Sequence, residues 1–337
     1  MEEIKNERLE YLDICKGFGI FAITLGHIYS DNFFRTWLCS FHLPLFFIIT
    51  GILIRHTNSD TRKFSNIIIS RFKRLIIPYF MFELVAILVW MIYNNELNLV
   101  ALRWNIIDTI LLYTKAGATW FLPALFISEL VFIGLKKLIK NDRLIIILSL
   151  IVFIIPFFIH TENHFMIVFV RNFTAIGFIA FGYYSYKYLI DMDISMKYLL
   201  IILLVNIVLS IFNKTVDLHS LKYNNVILYS ICSISGSALV IFISKKIKVE
   251  KVNKLFRYYG VNSLIIMATQ QVLLGSIIKS ITGIEAFNYG IISGIIALII
   301  VMLIEIPIIE VINRYLPFML GNFKKIKNVV TSKVEQV

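Results

Sequence analysis

Residues 12–29 read LDICKGFGIFAITLGHIY, an apolar stretch of helical length that carries three ionisable side chains, Asp13, Lys16 and His27. An apolar segment of about 20 residues is long enough to cross a bilayer as a helix. Ionisable groups inside such a helix are costly, and they commonly mark a functional site. The stretch therefore predicts a first membrane helix that takes part in the function of the protein.

The spacing of these side chains supports that interpretation. Lys16 and His27 are eleven residues apart, which brings both onto one helical face, about 16 Å apart along the axis. Asp13 precedes Lys16 by three residues, so the two can form an ion pair. In the simpler alternative, Asp13 and Lys16 reach towards the lipid headgroups, and His27 is a hydrogen-bonded packing residue.

The composition of the whole chain is that of a polytopic membrane protein. Its 337 residues are 58% hydrophobic and 16% charged, with a mean hydropathy of +0.81, which leaves too little polarity to cover a soluble fold. The weaker stretch 98–114 is interpreted as an interfacial or re-entrant piece. We expect an all-α helical bundle with about ten transmembrane helices, near 12–30, 37–55, 75–93, 119–138, 143–160, 166–187, 197–213, 224–244, 259–281 and 288–313.

The basic residues give the orientation. With a cytosolic N-terminus, 25 of them fall in inner segments and six in outer loops, as the positive-inside rule requires. We therefore expect both termini in the cytosol, a membrane domain over 1–313 and a basic cytosolic tail over 314–337. The net charge of +12 is spread between apolar segments, so no nucleic-acid partner is expected.

Polar and aromatic residues near the predicted outer side of the membrane form a second group of candidate site residues. His42, in FHLPLFFIITG, lies at a depth similar to that of His27, and Trp120 opens a helix in TWFLPALF. Arg171 lies within a predicted span, so we expect it to face the interior, where it binds an acceptor or pairs with Glu129. The alternatives are a capping or interfacial role for His42 and a place in the interfacial aromatic belt for Trp120.

Two arginines lie beside the membrane on the predicted cytosolic side. Arg71 and Arg74, in SRFKRLIIPY, are three residues apart and would share a helical face. Guanidinium pairs suit phosphate groups because they offer forked donors. On charge alone, an ordinary positive-inside anchor is the favoured explanation. Glu305, before Pro307 in the last helix, is a candidate partner for one of the buried cations. The three cysteines lie in apolar stretches, so no disulfide framework or metal site is expected.

Four motifs, taken together in this order, resemble the acyltransferase-3 family of integral-membrane acyltransferases. They are Lys16 and His27 with ten residues between them, FHLPLFFIITG at His42, the Arg71–Arg74 pair before LIIPY, and WFLPALF at Trp120. The resemblance covers essentially the whole chain. It is closest to the sugar O-acetyltransferase branch related to fucose acetylases.

The resemblance implies transfer of an acetyl group from cytosolic acetyl-CoA, the co-substrate, to a hydroxyl of a cell-surface or lipid-linked polysaccharide. It implies that Arg71 and Arg74 hold the coenzyme phosphates and that His27 is the essential histidine, with Lys16 and Asp13 along the thioester route. His42, Trp120, Arg171 and Gln270 are expected on the acceptor side. His27 either takes the proton of the attacking hydroxyl or carries the acetyl group itself.

The chain departs from the family in two respects. Gln270 stands where many members have a histidine, and no soluble C-terminal esterase-like domain is expected. A proton-coupled transporter is the main alternative function, because charged residues within spans suit one, and a non-catalytic binding module is a third. The high content of Ile, Lys and Asn suggests an AT-rich bacterial genome, hence the bacterial cytoplasmic membrane. The lipid bilayer is then the surroundings of the protein, and the possibility of a homo-oligomer stays open.

Overall fold

The computed structural model describes residues 8–29, 32–279, 283 and 289–323. Of the described residues, 81% are helical, and this part of the chain contains two isolated β-bridges and no strand. The helices are α1 Glu10–Ile28, α2 Phe33–Cys39, α3 His42–His56, α4 Phe64–Arg71, α5 Ile77–Tyr93, α6 Leu99–Ile110, α7 Phe121–Leu138, α8 Asp142–Ile154, α9 His164–Tyr184, α10 Tyr186–Asp191, α11 Met196–Asn213, α12 Val226–Lys246, α13 Glu250–Val261, α14 Ser263–Val272 and α15 Ile291–Tyr315. The all-α membrane bundle predicted from the sequence is confirmed.

Eight helical segments of the described chain are long and apolar enough to cross a membrane. They correspond to eight of the ten predicted spans. The two other predictions fall on shorter helices: α8 continues only as a 3-10 turn over Ile155–Phe158, and the apolar helix Ser263–Gly275 is also short. The count of ten and the cytosolic termini stay predictions, and residues 324–337 of the predicted tail lie outside the described residues.

Two predicted boundaries change. The span expected at 259–281 begins inside α13, a separate helix that ends at Val261, and the chain turns at Asn262 before α14 starts. The last helix runs to Tyr315, and Met319 in the following 3-10 turn is buried. The packed part of the chain therefore extends past residue 313. The stretch 98–114 contains α6, which at 12 residues is too short to cross a bilayer.

Helix α1 is central to the bundle, since it contacts α2, α3, α12, α13, α14 and α15. Helices α3 and α9 pack almost backbone to backbone. A Cβ atom on Gly51 of α3 would lie 2.0 Å from the carbonyl oxygen of Ile179, and one on Gly182 of α9 would lie 2.1 Å from that of Ile48. This close approach fixes the helix that carries His42 against the helix that carries Arg171.

Candidate functional site

A cavity of about 350 Å³ lies at the predicted outer end of the bundle, and we call it the outer cavity. His27, in the last turn of α1, and His42, at the start of α3, both line it. The structure thus brings together two of the predicted site residues from adjacent helices. The rest of its polar wall comes from Arg35, Thr114, Trp120, Asp217, His219 and Gln271.

The tautomer of His42 follows from one contact. Its Nδ1 lies 2.7 Å from the carbonyl oxygen of Leu38, near the end of α2. Because a carbonyl oxygen only accepts, Nδ1 of a neutral His42 ring carries the proton and donates it, and Nε2 keeps its lone pair. His42 is buried, so this bond holds the ring in one orientation at the cavity wall.

Trp120 forms part of the cavity wall with polar groups on two sides. The ring of His219 meets its indole edge-on, with 5.2 Å between ring centroids. The guanidinium carbon of Arg171 lies 4.6 Å from the indole centroid, as in a cation–π contact. Arg171 is 1% exposed, which agrees with its predicted interior position, but it is separated from the outer cavity by Trp120.

The hairpin between α11 and α12 closes the outer cavity. Asp217 and Lys222 exchange backbone hydrogen bonds of 2.8 and 2.9 Å, which turns the chain back over the cavity. The pKa of His219 in this hairpin is lowered from its ordinary value, first because the ring is largely buried and then because Arg171 repels a second positive charge. Nothing in the sequence pattern pointed to Asp217 or His219.

Glu83 of α5 supports the wall that contains Trp120, and it was not among the predicted site residues. Its carboxylate accepts hydrogen bonds from the backbone of Lys115 at 2.7 Å and of Ala116 at 3.3 Å, and from the hydroxyl of Thr119. These bonds hold the segment that leads into Trp120. A carboxylate inside the apolar run MFELVAILVW was the signal that could have identified it.

The cavity wall near Glu83 also contains a glycine, Gly117, in a conformation that other residues rarely adopt. Gly117 has φ +68°, and a Cβ atom there would lie 1.4 Å from Oε1 of Gln271. The positive φ strains any other residue at this position, and a Cβ atom would displace the flexible end of the Gln271 side chain. Gly117 and Gln271 thus meet at one point of the outer cavity wall.

Two more cavities lie towards the predicted cytosolic side. The inner cavity, about 330 Å³, is lined by Asp13 and Lys16 among others, and the middle cavity, about 90 Å³, by Lys16 and Arg74 among others. Lys16 and Leu53 line both of these. Met267 lines both the middle and the outer cavity. The three cavities therefore adjoin across the bundle, from Asp13 to His27.

The predicted ion pair at the start of α1 is confirmed. Nζ of Lys16 donates to Asp13 at 3.0 Å, and Arg8 donates to the other carboxylate oxygen of Asp13 at 2.7 Å. Asp13 is buried, so two cations compensate its charge. Lys16 keeps a partly exposed ammonium group between the inner and middle cavities.

Arg71 and Arg74 differ more than their spacing suggested. The chain winds as a π-helix over Phe72–Ile76, so the two do not follow α-helical geometry. Nε of Arg71 donates to Glu129 at 2.5 Å, and both side chains are largely buried. Arg74 is exposed and lines the middle cavity. The partner of Glu129 is thus Arg71, and the predicted alternative of a pair between Glu129 and Arg171 was wrong.

Gln270 and Glu305 lie in the core. Gln270 is fully buried, its amide atoms have no hydrogen-bond partner among the described residues, and its neighbour Gln271 lines the outer cavity instead. Glu305 accepts a hydrogen bond from Thr269 at 2.7 Å. No cation of the described chain pairs with Glu305, so its expected role as partner of a buried cation is not observed.

Comparison with known proteins identifies the family of the chain. The acyltransferase-3 family model, described as an acyltransferase domain, matches residues 9–309. No curated protein and no solved structure matches the chain significantly. The matched range contains every predicted site residue and, apart from Arg8 of the inner cavity, all residues that line the three cavities. The chain therefore belongs to the acyltransferase-3 family, and it is a multi-pass membrane acyltransferase.

Proposed function

We propose that the protein transfers an acetyl group from cytosolic acetyl-CoA to a hydroxyl of a cell-surface or lipid-linked polysaccharide, in the bacterial cytoplasmic membrane. The observation that carries this proposal is the row of three adjoining cavities. A donor that enters from the cytosol and an acceptor that enters from outside can meet where Met267 borders both the middle and the outer cavity.

The donor side offers groups that suit coenzyme A. Arg74 is an exposed residue that lines the middle cavity, and its guanidinium is a forked donor for phosphate oxygens. The middle cavity is narrow, at about 90 Å³, and its mostly apolar wall suits the thin, uncharged arm that bears the thioester. Lys16 lies along this route, where its positive charge would stabilise an oxyanion at the thioester carbonyl.

The reaction itself is assigned to His27. In one route its imidazole takes the proton of the sugar hydroxyl as that oxygen attacks the thioester carbon, the carbon–sulfur bond breaks, and the coenzyme leaves as a thiol after protonation. In the other route the imidazole nitrogen attacks first, and the acetyl-imidazole then passes its acetyl group to the hydroxyl. Both routes yield a sugar ester and free coenzyme A.

The acceptor side is assigned to the outer cavity. Its volume of about 350 Å³ suits a sugar unit of a larger glycan. Trp120 and His42 line it together with His27, so a bound sugar would lie against an aromatic wall beside the reactive imidazole. Membership of an acyltransferase family favours this assignment over the proton-coupled transporter.

A transfer assay with radiolabelled acetyl-CoA tests the proposal. Membranes that contain the wild-type protein should pass label to polysaccharide in an alkali-labile form, as expected of an ester. His27→Ala should abolish transfer while acetyl-CoA binding to the purified protein persists. His160→Ala, which removes an exposed histidine far along the chain, is the matched control and should behave as wild type. Transfer that survives in His27→Ala would remove His27 from the chemistry.

A further inference from the structure

Arg171 is a buried cation without a counter-charge. Its side chain is 1% exposed, yet Nε and Nη2 have no hydrogen-bond acceptor among the described residues. The described part of the chain also provides no carboxylate within ion-pair distance of it. A buried, uncompensated guanidinium strongly disfavours the folded state, and arginines inside membrane helices commonly mark a substrate path.

The groups around Arg171 do not neutralise it. The titratable groups that act on it are the phenols of Tyr79 and Tyr223, which are uncharged. The hydroxyl of Tyr79 already donates to the carbonyl oxygen of Thr109 at 2.8 Å, and that of Tyr223 accepts from Thr174 at 3.0 Å. The indole of Trp120 offers only a cation–π contact. The donors of Arg171 are therefore available to a ligand.

The adjoining wall of the outer cavity contains one guanidinium, that of Arg35, one carboxylate, that of Asp217, and the imidazoles of His27, His42 and His219 among its described residues. Asp217 is already engaged, since its oxygens accept from the backbone N–H of His219 at 3.0 Å and from Ser220 at 2.7 Å. Arg171 lowers the pKa of His219, so its field reaches the cavity wall.

We propose that the acceptor is an acidic glycan, whose carboxylate or phosphate group binds to Arg171 beside Trp120. This inference rests on the proposed transferase function, because it names the class of its acceptor. A guanidinium presents two parallel N–H groups that match the oxygens of either anion. The anion would supply the missing counter-charge of Arg171 and fix which sugar hydroxyl faces His27.

Binding requires a small movement at the wall. Trp120 lies between Arg171 and the cavity, so a change of its side-chain torsions, or a shift of the Asp217–Lys222 hairpin that carries His219, exposes the guanidinium. Both elements sit at the predicted outer surface, where an extended glycan would arrive. Trp120 then packs on the sugar ring while Arg171 holds its acidic group.

Binding of defined probes to the purified protein tests this inference. Trigalacturonate and galactotriose form a matched pair that differs in the carboxylates, and inorganic phosphate represents a phosphate group. The measurements are made at saturating acetyl-CoA, so that phosphate sites for the donor are occupied. Wild type should bind trigalacturonate or phosphate at least about tenfold more tightly than galactotriose, which is a difference of about 1.4 kcal/mol.

Variants then assign the preference to one side chain. Arg171→Gln should abolish the preference for acidic probes, and Arg171→Lys should keep part of it. Arg103→Gln, which alters an exposed arginine of α6, should leave this preference intact. Preference for trigalacturonate alone assigns a carboxylate, and preference for phosphate alone assigns a phosphate ester. Equal binding of acidic and neutral probes, no binding of either anion, or a preference that survives in Arg171→Gln would overturn the inference.

A thermal shift experiment provides an independent readout. Removing an uncompensated buried cation should raise the melting temperature of the unliganded Arg171→Gln protein, and the anion that binds should stabilise wild type but not this variant. A lower melting temperature for Arg171→Gln, with no response of wild type to either anion, contradicts the inference. Acetyl-CoA binding in the same samples separates the two proposals. If it is absent while the anion preference holds, the donor assignment fails and the anion site stands.

Discussion

Arg71 and Arg74, which the sequence motif presents as a pair, should differ in the effect of substitution on acetyl-CoA affinity and on stability. Arg74→Ala removes an exposed guanidinium at the middle cavity, so we expect a loss of about 1.5–3 kcal/mol in acetyl-CoA binding, or about 10- to 150-fold in Kd. Arg71→Ala instead leaves Glu129, whose side chain is 5% exposed, without its partner at 2.5 Å. Breaking a buried ion pair in this way costs about 3–5 kcal/mol of stability.

Two measurements on detergent-purified protein separate these effects. Calorimetric titration with acetyl-CoA should show weakened binding in Arg74→Ala, with a melting temperature close to that of wild type. Arg71→Ala should melt several degrees lower. The double variant Arg71→Met, Glu129→Leu should recover much of that loss, because an apolar pair replaces the ion pair. If Arg71→Ala weakened donor binding as much as Arg74→Ala and left the melting temperature unchanged, the assignment of distinct roles would be refuted.

The remaining predictions concern the cavity walls. Glu83→Gln should lower the melting temperature, since an amide cannot accept the hydrogen bonds of Lys115, Ala116 and Thr119 together, and the loss in stability should be about 1–3 kcal/mol. Acetyl transfer should fall while the affinity for acetyl-CoA is kept, and a variant with unchanged stability and transfer would contradict this. Met267→Trp should block acetyl transfer while acetyl-CoA still binds, with Met267→Leu as the volume-matched control; undiminished transfer would show that the acetyl group does not pass there. Gly117→Ala should impair transfer, because alanine rarely adopts the positive φ of this position and its Cβ would displace the Gln271 side chain; activity equal to wild type would show that the outer cavity wall does not depend on this backbone conformation.

Features that depend on local sequence were largely predictable. The apolar runs identified the membrane helices, because length and hydropathy suffice for that inference. The pair of Asp13 with Lys16 followed from their spacing on one helix. The interior position of Arg171 followed from the cost of placing a guanidinium in lipid.

Features that depend on packing between distant segments were not predictable. The partner of Glu129 is 58 positions away at Arg71, and a spacing argument offered Arg171 just as readily. The π-helical turn at Phe72–Ile76 separates Arg71 from Arg74, although an α-helix would align them. The hairpin at Asp217 carries no motif, and its role as a cavity wall depends on where α11 and α12 place it.

The junction at Met267 has a consequence for the energetics of the cell. A membrane that stores a proton gradient cannot tolerate an open water channel, yet the proposed reaction delivers a group made inside the cell to a glycan outside. Met267, a flexible apolar side chain, lines both the middle and the outer cavity, so a continuous water path between them would have to pass an apolar group. In the proposed reaction the donor stays on the cytosolic side and only the acetyl group crosses, so the coenzyme stays in the cell and can be acetylated again.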